Sequence, residues 1–138
     1  MQQIYSNVDG RLLHIIWRFA NFSEGRQEIV PPDNYMQCAA LWMPEGQTFR
    51  PHHHIERFKI EWAKIAQESW VVLRGRVRVT FYDIDNTVVL IDVLEQWDAS
   101  FTLYGGHTYE ILRNDTVVYE FKTGPYDGQH KDKRFIQV

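Results

Sequence analysis

The sequence predicts a single all-β domain, a sandwich or a barrel. Three observations predict it. Short apolar or alternating stretches recur along the chain, separated by turn residues, which is the pattern of such folds. Aromatic residues, which suit the half-buried surface of a strand, make up 14% of the chain. Helical character is confined to one short stretch, Glu61–Glu68. At 138 residues the chain is long enough to bury a core without disulfide staples.

The expected strands follow in order: Leu12–Phe19, Met36–Met43, Thr48–His54, Ser69–Arg74, Arg76–Asp83, Thr87–Val93, Ser100–Leu103, Thr108–Leu112 and Thr116–Lys122. The clearest is the fifth. Val77, Val79 and Phe81 share one face, while Arg76, Arg78 and Thr80 share the other, a period of two with one side buried. Gly75 interrupts an otherwise continuous run from Trp70 to Phe81 and marks a tight turn or bend. Asp85-Asn86 and Arg113-Asn114-Asp115 are turn chemistry between strands. The polar tail, residues 124–138, is expected to leave the domain and run over its surface. Neither a repeat nor a linker divides the chain, so residues 1–138 read as one domain.

Composition removes several function classes. The net charge of -3 offers no basic excess to meet phosphates, which argues against nucleic acid. No apolar run approaches a membrane span of ~20 residues. Met1–Gly10 is polar and lacks the apolar centre of a signal peptide, so the expected compartment is the cytoplasm. Cys38 is the single cysteine, lies in an apolar run and reads as a small buried hydrophobe.

The strongest chemical signal is Pro51-His52-His53-His54. On an extended chain His52 and His54 point the same way and His53 the other. Two imidazoles on one strand face can chelate a metal. Glu68 opens the next clear strand, and His107 follows Gly105-Gly106 at the start of a later one, so all four can converge at one end of a barrel. The competing readings are ordinary: a surface carboxylate, a turn histidine and an exposed polar strand end. His14 and His130 lie apart from these residues and read as structural or solvated.

The spacing of these residues resembles the cupin superfamily, whose first motif runs G-x5-H-x-H, then E-x6-G. Here Gly46, five residues and His52-x-His54 match the first half, and Glu68, six residues and Gly75 match the second. Thirteen residues, 55–67, stand where the family has three or four. The second motif, G-x5-P-x-G-x2-H-x3-N, is matched loosely. Trp97-Asp98 takes the place of a common Gly-Asp, no proline precedes His107, and Ile111 occupies the asparagine position. The resemblance spans residues 37–121 and implies a double-stranded β-helix, or jelly-roll barrel, with His52, His54, Glu68 and His107 on one divalent ion.

Three imidazoles and a carboxylate suit iron, manganese, nickel, cobalt, copper or zinc rather than calcium or magnesium. Arg50 shares parity with His52 and is a candidate to hold an anionic group, the alternative being a solvated arginine. Tyr109 shares parity with His107 and is a candidate catalytic group, the alternative being a packed residue with a satisfied hydroxyl. Trp70 and Val72 share parity with Glu68 and read as plain core. Residues 55–67, with Trp62, form either a lid that meets the substrate or an arm on a neighbouring subunit. The resemblance implies an isomerase or epimerase acting on a small polar molecule such as a sugar, sugar nucleotide or oxo-acid. A small-molecule-binding module and an iron-dependent dioxygenase are the alternatives. A homodimer is expected, its two-fold interface closed by some of the many aromatics.

Overall fold

The structure, a computed structural model, describes residues 1–42, 44, 45, 47, 65–123 and 133–137. The described residues are all-β. Their strands are β1 (Gln2–Tyr5), β2 (Leu12–Trp17), β3 (Gly25–Glu28), β4 (Ala39–Trp42), β5 (Glu68–Arg74), β6 (Val77–Tyr82), β7 (Val88–Leu94), β8 (Ala99–Thr102), β9 (Gly106–Ile111) and β10 (Val117–Lys122). Every pairing among them is antiparallel. A five-stranded sheet has the order β1-β2-β8-β5-β10, a three-stranded sheet has β7-β6-β9, and β3 pairs with β4. The described strands therefore form open sheets and do not close into the barrel expected from the sequence.

The two larger sheets share one core. Ile4, Ile16 and Val72 from the first pack with Val77, Val79, Phe81 and Leu94 from the second. The alternation anticipated in β6 is present: Val77, Val79 and Phe81 are buried, while Arg78 is exposed and pairs with Glu110 on β9. The opposite face of the five-stranded sheet carries a second core, where Ile15, Trp17, Ala99, Phe101 and Leu103 meet Ile29, Val30, Met36 and Ala40. Cys38 packs against this second core but is only partly buried.

One connection governs the architecture. The segment β5–β6 runs antiparallel to β9–β10 along its whole length, with Arg74 opposite Val117 and Val77 opposite Ile111. This two-stranded ribbon bends from one sheet into the other. At the bend Gly75 has φ +94, and a Cβ there would lie 2.8 Å from the Thr116 Cα. Only glycine takes that backbone and that approach without strain. The bend expected at Gly75 is thus a passage between layers.

Several boundaries differ from expectation. β1 and β3 were not anticipated, because Gln-Gln-Ile-Tyr buries only Ile4 and Gly-Arg-Gln-Glu buries nothing fully; their strand character comes from the partner strand. The strand from Leu12 ends at Trp17, and Phe19–Asn21 form a 3-10 turn that the Asn21 side chain closes on the Arg18 N–H at 3.4 Å. Ile65–Gln67 are not helical, and β5 opens at Glu68. β1 and β2 join the main sheet, so the folded core reaches beyond residues 37–121. The expected strand Thr48–His54, Met43 and residues 124–132 of the tail lie outside the described residues. Farther along the tail, the Ile136 side chain lies directly over Gly106 at the start of β9, where a Cβ would collide with it.

Candidate functional site

β5 and β9 belong to different sheets, and the ribbon bend brings their inward faces together. Glu68, Trp70 and Val72 alternate onto the inner face of β5, and His107 and Tyr109 onto that of β9. At one end of the sandwich Glu68 and His107 meet, the His107 Nε2–H donating to Glu68 Oε1 at 3.1 Å. Both are largely removed from water, with side-chain exposures of 20% for His107 and 7% for Glu68. The buried Nδ1 of His107 has no hydrogen-bond partner among the described residues. Burial alone would raise the Glu68 carboxyl. The hydrogen bond from His107, with the charges of His107, Lys133 and Lys122, outweighs it and holds the group below the usual carboxylate range. Lys122 stands directly across from Glu68 in the β5–β10 register.

Trp70 is not plain core. Its indole N–H is shared between Glu68 Oε1 at 3.1 Å and Glu120 Oε2 at 3.2 Å. Its ring stacks on Tyr109 with centroids 4.1 Å apart and planes inclined by 9°. The Tyr109 ring also tilts against His107 at 5.1 Å. The Tyr109 hydroxyl shares a hydrogen bond of 3.0 Å with Ser100 Oγ, and burial pushes its pKa well above the usual phenol range. It is a neutral hydrogen-bonding group that braces the wall, which matches the packed alternative for this residue. Val72, by contrast, is fully buried core, as its parity suggests.

Two residues enter the neighbourhood that sequence reasoning did not put there. Glu120 reaches Trp70 from β10 because it stands opposite Trp70 in the register, a pairing that spans 50 residues. His14 is fully buried on β2, stacked at 4.2 Å on Phe81, which is the register partner of His107. Its Nε2–H donates to the Tyr82 carbonyl at 3.2 Å, and the Thr102 hydroxyl donates to its Nδ1, also at 3.2 Å. Burial lowers its pKa to about 4. With both nitrogens engaged, His14 is a neutral structural imidazole.

Glu68 and His107, singled out in the sequence, are thus brought together. His52, His54, Arg50 and Trp62 lie outside the described residues, as do His53 and His130. The pair has the form of two adjacent positions of one coordination shell. Donors at ~2.1 Å from a common ion and at right angles stand about 3.0 Å apart. An imidazole nitrogen beside a carboxylate kept ionised is a donor set suited to a transition metal. Comparison of the chain with family models, with curated proteins and with solved structures gives no match.

Proposed function

We propose that the chain is a cupin-type metalloprotein, a metal-dependent enzyme of the isomerase kind acting on a small polar molecule. The contact of Glu68 with His107 at 3.1 Å carries this reading. His52, His54, Glu68 and His107 would together hold one divalent transition ion. When bound, such an ion polarises a substrate oxygen and stabilises the negative charge that develops on it.

Connectivity supports the same reading. From β5 to β10 the chain crosses between the sheets four times, with only the β6–β7 hairpin staying in one, so that β8-β5-β10 is overlaid by β7-β6-β9. A two-stranded ribbon folded over itself in this way is the winding of a jelly roll. The backbone supports it at two motif positions. Gly75, the last glycine of the first motif, has φ +94, and Trp97, where the family commonly has glycine, has φ 72. The proton carrier best suited to such a site is Glu120. It is exposed and tied to Glu68 through one shared donor, whereas the Tyr109 hydroxyl is committed to Ser100.

Metal content tests the proposal. Protein from cells supplied with iron, manganese, nickel, cobalt, copper and zinc should carry one such ion per chain. Alanine at His52, His54, Glu68 or His107 should each lower occupancy by more than about tenfold, the loss that even outer-shell changes can cause. Alanine at His53 should not. Ligands must be deprotonated, so metal should leave as pH falls through the histidine range. Wild-type protein without metal, or four single variants that all retain it, would overturn the reading.

A further inference from the structure

Glu68 has His107 across the sandwich as a hydrogen-bonding partner, and the charges of Lys122, directly opposite on β10, and of Lys133 also attract it. A glutamate side chain with several rotamers pays entropy to stay on His107. Something must bias it, and the Trp70 indole donates to the very oxygen that meets His107, its N–H reaching Glu68 Oε1 at 3.1 Å. The indole is itself fixed. It lies flat on Tyr109 at 4.1 Å, and Tyr109 is anchored through its hydroxyl to Ser100 at 3.0 Å. On its other side the same N–H meets Glu120 Oε2 at 3.2 Å.

We infer that Trp70 is the positioning residue of this site: its indole N–H, shared between Glu68 and Glu120, holds the Glu68 carboxylate in the rotamer that meets His107. This rests on the metal reading above and adds to it a residue that is not a ligand. An outer-shell donor that fixes a ligating carboxylate typically contributes 10–100-fold in metal affinity, as a rough range. The sharing also makes Trp70 a built-in reporter. When Glu68 gives electron density to an ion, its hold on the indole weakens and the N–H leans toward Glu120.

Zinc binding by the full chain tests this. Trp70→Phe keeps a ring on Tyr109 but removes the N–H. The zinc Kd should rise by roughly 10–100-fold, while the melting point of the metal-free protein stays close to wild type. The zinc-dependent change in tryptophan fluorescence should vanish in the same variant. Wild-type zinc affinity in Trp70→Phe, or a fluorescence change that survives in it, sinks the inference and leaves the metal site standing. Wild-type protein that binds no zinc or other transition ion removes both. Should Trp70→Phe fail to fold, the wild-type protein decides: in its 15N spectrum the Trp70 indole cross-peak must move on zinc addition, and an unmoved cross-peak rejects the inference.

Discussion

His14 shows what a single buried titratable group does to a small domain. Its pKa is lowered by burial to about 4, from an ordinary histidine value of about 6.5. Between those values the unfolded chain binds a proton that the folded chain refuses. Stability contributed by neutral His14 is therefore complete above pH ~6.5 and is lost progressively as pH falls toward ~4, about 3 kcal/mol in all. Urea midpoints measured across this window should show the slope in wild type and lose much of it in His14→Gln. An identical slope in the variant would assign the acid lability elsewhere. The residue also marks the limit of what sequence reveals about the site. Glu68 and His107 were legible because each opens a strand beside a glycine motif. His14 and Glu120 were not, because their proximity depends on which strands become neighbours, and that pairing leaves no local signature.

At the scale of the element, the sequence was readable wherever burial alternates along a strand. β6 shows the period directly through Val77, Val79 and Phe81, and all three are fully buried. β3 could not be read this way, since Gly25–Glu28 is exposed except for a half-buried Gln27 and exists because β4 lies beside it. Gly75 was legible as a bend but not as a change of layer, because the Thr116 backbone that forbids a side chain there comes from the far arm of the ribbon. Gly75→Ala forces alanine to φ +94 and drives its Cβ to 2.8 Å from the Thr116 Cα. The expected cost is about 3 kcal/mol, from backbone strain plus overpacking. It should appear in denaturant unfolding as a lower midpoint with an unchanged slope. A second fixed point is Arg18, which ties the end of β2 to Asp98 and Asp92, each at 2.6 Å, and to the Val93 carbonyl at 2.7 Å. Arg18→Leu leaves the buried Asp98 carboxylate without its cation. Because Arg18 itself is partly solvated, the loss should be about 1–2 kcal/mol, less than for a fully buried pair. Thermal melting at neutral pH checks it.

For the molecule as a whole, far-ultraviolet circular dichroism should be dominated by strand, and no helix among the described residues is long and apolar enough to cross a membrane. A metal that binds only the folded chain should raise stability by mass action, about 2.7 kcal/mol at a hundredfold excess over Kd. The gain should disappear in Glu68→Gln, read as the difference in melting point with and without chelator. The folded ribbon has a further consequence, in time rather than in space. The β6–β7 hairpin is local, but β9 returns to β6 only after a gap of more than twenty residues, and β10 closes on β5 across more than forty, with Lys122 opposite Glu68. Loop-closure entropy makes such distant pairings late events. Glu68 and His107 sit on these late arms, so the proposed metal site would assemble near the end of folding, and an ion would have little to hold in the transition state. In stopped-flow experiments zinc should leave the refolding rate nearly unchanged and slow unfolding instead. Refolding accelerated in proportion to zinc affinity would show that the two arms meet early.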